Sequence, residues 1–201
     1  MIGAILAGVT GEPYVAPTGD FESIATVTVG SGGSAEINFT SIPSTYQHLQ
    51  LRYLGFSTRT NLPLDTYEIR VGTGSIDTTA SYAYHNLYGN GSAAAATAGT
   101  STSTIQPVFC VGTASTESQK SGVGVIDILD YKDTNKYKTI RILGGFDING
   151  LQSGSGTGYG GRVGLTSGLW QKSTAIDAIR LYPTNGSWGQ YSHFALYGIK
   201  G

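Results

Sequence analysis

Cysteine is almost missing from this sequence: Cys110 stands alone among 201 residues. That excludes an internal disulfide, and it leaves no second thiolate for a metal site. Charge is scarce as well. Lys, Arg, Asp and Glu make up 12% of the chain and nearly cancel, for a net charge of −1, where ordinary proteins carry about twice that share. With no basic excess there is nothing to neutralise a run of phosphates, so nucleic acid is not expected as a partner. No block of like charges marks a disordered interaction tail. Long apolar runs are absent too. Met1 to Val9, MIGAILAGV, is too short to span a bilayer, so membrane insertion is not expected. The first basic residue is Arg52, which leaves no positive n-region for a secretory signal. No amphipathic pattern of three helical turns occurs anywhere.

What is present points to strands. Glycine (30 residues) and tyrosine (13) are abundant, as are Ser and Thr, a composition that suits short strands and tight turns and disfavours long helices. The chain is organised around its last stretch, Ala175 to Ile199. Two apolar, β-type runs are joined there by Pro183-Thr184-Asn185-Gly186-Ser187, with the fixed φ of proline and the easy positive φ of Asn and Gly supplying the turn. Upstream, period-two alternation recurs. Ala25, Val27 and Val29 share a face, then Ala35, Ile37 and Phe39, then Leu49, Leu51 and Tyr53, then Tyr67, Ile69 and Val71. Such alternation predicts half-buried antiparallel strands.

Further strands are expected at 105–111, at 123–129, at 137–143, and on the face marked by Val163, Leu165 and Leu169. Val123 to Leu129 (VGVIDIL) is apolar on both faces apart from Asp127 and reads as a central strand. Asp77 to Tyr88 reads as a short helix or a strand. Ser92 to Thr104, rich in Ala, Ser and Thr, reads as a mobile surface loop, and 149–161 as a flexible loop. These patterns add up to about nine or ten strands at sandwich-like spacing. The expected fold is all-β: an antiparallel β-sandwich over 21–201, jelly-roll-like because of its long irregular connections, with an extended N-terminal arm over 1–20. Glycine and proline break regular structure in that arm, while Ile2, Ile5, Leu6, Val9, Tyr14 and Val15 make it apolar. It either docks on a partner surface or serves as an edge strand of its own domain.

Candidate chemistry is thin. Gly156-x-Gly158-x-x-Gly161 matches a dinucleotide fingerprint by letter, but that motif must open a helix, and a strand pattern follows here. Asp127, Asp130, Asp133 and Asn135 could offer oxygens to a hard cation. The spacing is not that of an EF-hand, and Asp or Asn in a turn more often makes local hydrogen bonds, so no metal is expected. His48, His85 and His193 are the only histidines. The strand patterns make His48 and His193 surface residues, and Cys110 reads as a small buried hydrophobe. No nucleophile–base pair is singled out, no cofactor is implied, and the expectation is a protein that is not an enzyme. Aromatic residues are the better candidates. Tyr82, Tyr84, His85 and Tyr88 cluster in sequence, and Trp188 and Tyr191 lie at the closing turn. Exposed, such rings would stack on sugar faces or anchor an interface; the alternative is that tyrosine fits a pleated surface. Asn38, Asn90 and Asn185 begin glycosylation sequons, which matter only in a eukaryotic secretory setting.

Several stretches together resemble a known group. They are FESIATVTVGSGGSAEINFTSIPSTYQHLQLRYL (21–54), YAYHNLYGNG (82–91), VIDILDYKDTNKYKTIRILGG (125–145), LTSGLWQ (165–171) and SHFALYGI (192–199). In order and spacing the chain resembles small virion structural proteins of tailed bacteriophages. The resemblance implies a β-sandwich module located in the virion, on a tail, fibre, baseplate or capsid, with other virion proteins as partners. It implies homo-oligomers around three-fold or six-fold axes, a trimer foremost. It carries no catalytic motif, and the arm outside the shared region would be the attachment element. An alternative function is receptor binding, with a carbohydrate site at Tyr82, Tyr84, His85, Tyr88, Trp188 and Tyr191 contacting a host-surface glycan. A third is a polysaccharide depolymerase.

Overall fold

A computed structural model describes residues 19–62, 64–107, 110–113, 121–147 and 160–201. The arm residues Ile2, Ile5, Leu6, Val9, Tyr14 and Val15 and most of the loop at 149–161 lie outside the described residues. Among those described, regular structure is entirely β. In chain order the strands are β1 (Phe21–Thr28), β2 (Ile37–Phe39), β3 (His48–Ser57), β4 (Leu64–Thr73), β5 (Ser75–Ile76), β6 (Tyr82–Gly89) and β7 (Ala94–Thr102). They continue with β8 (Cys110–Thr113), β9 (Gly122–Ile128), β10 (Lys138–Asp147), β11 (Gly161–Trp170), β12 (Ala178–Pro183) and β13 (His193–Ile199).

Two antiparallel sheets stack into the expected sandwich. The larger has eight strands in the order β7-β6-β11-β10-β9-β3-β13-β1. The smaller has three, β2-β12-β4, with β5 hairpinned onto β4. β8 joins the layers at one end, antiparallel to β4 and parallel to β3. β1, β3 and β13 lie in the large sheet while β2, β4 and β12 lie in the small one, so the chain passes repeatedly between layers.

The alternation in the sequence sets the core. Leu49, Leu51 and Tyr53 point inward from β3, and Ile126, Ile128, Ile140 and Ile142 from β9 and β10. They meet Tyr67, Ile69 and Val71 of β4, Ile179 and Leu181 of β12, and Ile37 and Phe39 of β2. Tyr53 crosses the backbone of β9 and β10 so closely that a Cβ at Gly124 would lie 2.4 Å from its ring, and one at Gly144 2.9 Å from its hydroxyl oxygen. Only glycine fits beneath that ring.

The closing turn is locked from inside. Asp65 is fully buried and accepts hydrogen bonds from Ser57 Oγ (2.6 Å), Asn185 Nδ2 (2.9 Å) and the Thr66 amide (3.0 Å), with Arg59 Nη1 3.6 Å away. A buried carboxylate is tolerated only when so satisfied. The turn then inserts Trp188, also fully buried, against Phe194 (4.7 Å between ring centroids) and Tyr67 (5.8 Å), with its indole N–H donating to the Leu181 carbonyl.

Four local expectations change. Ser92 to Thr104 is not a loop: Ala94–Thr102 forms edge strand β7, paired along β6. It carries no apolar alternation because it is exposed on nearly every side. The run 77–88 resolves as a turn followed by β6. Ile105 makes only an isolated bridge to Ile69, and the strand there is β8. In β11 the facing is inverted: Thr166, Gly168 and Trp170 point inward, while Val163 and Leu165 point out.

Candidate interaction face

The glycan candidates do not form one platform. Tyr82 and Trp188 are both fully buried, which contradicts a surface role for either. The Tyr82 hydroxyl is held by the backbone, accepting from the Val71 amide (3.1 Å) and lying 2.8 Å from the Val71 carbonyl. Tyr84 and Tyr88 are half-buried on that same inner side of β6. The Tyr84 hydroxyl donates to Gln106 (3.0 Å), and the Arg162 guanidinium lies over the Tyr88 ring at 4.8 Å. His85 points to the opposite face and is exposed. Tyr191 is 74% exposed, but its loop precedes β13, with β11, β10, β9 and β3 lying between β13 and β6 in the sheet.

The histidines do not meet either. His48 and His193 sit at opposite ends of the β3–β13 ladder, and His85 is on β6. The backbone of Cys110 pairs with Thr66 in β8. The acidic cluster is filled by cationic side chains of the chain itself. Lys136 bridges Asp130 and Asp133, and the Lys136 hydrogen bond, helped by Gln47, holds the Asp130 carboxyl below its ordinary range. Buried Lys138 donates to the carbonyls of Asp133, Lys136 (2.9 Å) and Ser173 (3.2 Å). Among the described residues no three His, Cys, Asp or Glu converge as a metal site requires. Gly161 opens a strand, so what is described of the Gly156–Gly161 motif lacks the helix that a dinucleotide needs.

The distinctive surface is the outer face of the eight-stranded sheet. Cross-strand register sets one row of residues side by side: Ala96, Leu87, Leu165, Leu143 and Val125, on β7, β6, β11, β10 and β9. A second row beside it runs Gly89, Val163, Gly145, Val123 and Leu54. These are not grazing exposures: Val163 is 61% exposed, Leu87 58%, Leu143 56% and Val123 53%. In the second row, glycines alternate with valines, so ridges alternate with shallow depressions. No charge enters either row before Arg52.

A polar row flanks the apolar ones: His85, Ser167, Arg141, Asp127 and Gln50. Its charges are already paired, with Arg141 donating to Asp127 at 2.7 Å and Gln50 to Asp127 at 2.8 Å. Partial burial would raise the Asp127 pKa, but the Arg141 and Gln50 hydrogen bonds outweigh it and hold the carboxyl below its usual range. Arg52 donates to Gln50 (2.9 Å) and lies over the stacked rings of Phe21 and Tyr197. The sequence signal for this face existed in VGVIDIL, apolar on both sides, and in Val163 and Leu165. Two-sided apolarity implies cover on both sides, and the second cover is not part of the described chain.

No protein-family model, curated protein or solved structure matches the chain.

Proposed function

We propose that this chain is a non-enzymatic structural protein of a tailed-phage virion, an accessory component of tail, fibre or capsid joined to the particle through its N-terminal arm. The observation that carries the reading is an apolar face that no other described residue covers, Leu87, Leu143, Val163 and Leu165 among its residues, on a sandwich with little charge. Permanent assemblies bury such faces, and charged residues are depleted at the centre of their interfaces. The sequence resemblance supplies the setting, and the titratable groups described above serve the fold. Deleting residues 1–20 is expected to leave a folded sandwich that no longer joins the particle; normal incorporation of the truncated chain would overturn the tether.

Receptor binding through a host glycan is the second reading. Exposed Tyr191, held at φ 71° in its loop, is the observation in its favour. Binding on a glycan array that Tyr191→Ala abolishes would support it, and silence across host polysaccharides would remove it. A reducing-sugar assay on host envelope tests the depolymerase reading in the same way.

A further inference from the structure

We infer that the outer face of the eight-stranded sheet pairs with the same face of a second copy of this chain, sheet on sheet, about a two-fold axis. The inference deepens the proposed structural role by naming the self-association surface, and it rests on that reading only for its biological setting.

Size comes first. With strands about 4.8 Å apart and same-face residues about 6.8 Å apart along a strand, two rows across five strands cover roughly 24 Å by 14 Å, or about 330 Å². That lies within the roughly 300–600 Å² at which the largest apolar patch of a monomer is commonly functional. A stable interface takes about 800 Å² from each partner. The apolar rows therefore supply about two-fifths of that area at its centre, and the flanking polar row begins the rim. An apolar core with a polar rim is the ordinary anatomy of a protein interface.

Shape and charge then select a copy of this chain as the occupant. The face is a broad pleated surface whose depressions, those at Gly89 and Gly145 among them, lie open to solvent, and the complement of such a surface is another sheet about 10 Å away. The inner face of this same sheet is covered in that way by β2, β12 and β4. A two-fold axis parallel to the rows and midway between them sets each apolar row against the other apolar row of the partner, so that Leu87 and Leu143 settle over the depressions at Gly89 and Gly145. Electrostatics offer no opposition. The chain carries a net charge of −1, and the nearest ion pair, Arg141 with Asp127, is neutralised within each copy.

The test is sedimentation equilibrium on the full-length chain and on Leu143→Asp, from low to high micromolar concentration. The wild-type chain is expected at twice its 21.0 kDa mass, undiminished in molar salt because the contact is apolar. Leu143→Asp places an unpaired charge at the centre and is expected to weaken association at least about a hundredfold. Leu143 is more than half exposed in the single chain, so circular dichroism should be unchanged; Val163→Lys serves if that variant fails to fold. A wild-type chain that stays monomeric, a three-fold assembly, or a dimer indifferent to both substitutions overturns the inference. None of these results bears on incorporation after deletion of residues 1–20, so the pairing and the virion role can fail separately.

Discussion

Both faces of the eight-stranded sheet carry apolar residues, and these meet opposite fates. On β10, Ile140 and Ile142 are fully buried under the smaller sheet, whereas Leu143, next in the chain, is 56% exposed. For these apolar neighbours the difference lies in what stands opposite each face. Inward-pointing residues find Tyr67, Ile69, Ile179 and Leu181 within the chain; outward-pointing ones find nothing in the described chain. Apolar residues that no other described residue covers add little to the stability of the described sandwich, and the proposed pairing would give them a partner.

Mutations at paired positions should separate the faces. The largest loss is expected on the covered side at Trp188→Ala, about 3–5 kcal/mol, because it leaves a cavity beside the buried rings of Tyr67 and Phe194. Asp65→Ala follows at roughly 3 kcal/mol, since it strands the buried Ser57 hydroxyl and takes the carboxylate partner from Asn185 and the Arg59 guanidinium. Ile142→Ala should cost about 2–4 kcal/mol and its neighbour Leu143→Ala less than about 0.5 kcal/mol in the monomer. Urea denaturation of all four, at concentrations too low for association, checks the series. Equal losses at 142 and 143 would erase the distinction between the faces.

Acid should loosen the covered side first where β6 begins. Burial would raise the Asp77 pKa, but hydrogen bonds from Ser81, Thr79 and Trp170 outweigh it and hold the carboxyl far below its ordinary 3.8. A depressed folded-state pKa contributes stability that is fully present above the unfolded value and is lost as pH falls below it toward the folded one. Thermal stability should therefore drop below about pH 4, and Asp77→Asn should flatten that part of the profile. An unchanged slope in the variant would put the acid sensitivity elsewhere.

The sequence disclosed the covered face far better than the open one. Alternation identified Leu49, Leu51 and Tyr53, and Tyr67, Ile69 and Val71, because a half-buried strand writes its inner face as every second apolar residue. It misled at β11, where Val163 and Leu165 carry the apolar letters but point out, while small Thr166 and Gly168 line the inside beneath Ile105. β7 left no trace, since an exposed edge strand needs only backbone pairing. Trp188 sits beside an exposed turn in sequence, and its burial follows from Asp65 and Asn185, residues 120 positions apart whose contact no local pattern encodes. The candidate glycan site dissolved for the same reason: Tyr82, Tyr84 and Tyr88 are adjacent in sequence to His85 but face the other way.

The most direct test of the central claim, that the outer face is made to be covered by a second copy, is the alkylation rate of Leu143→Cys as a function of protein concentration. Mass spectrometry would assign the modified position, and Lys172→Cys, at an exposed position between β11 and β12, would serve as the control. Fast labelling at position 143 in dilute protein and strong protection on concentration are expected, with the control unchanged. Equal rates at both positions at every concentration would contradict it.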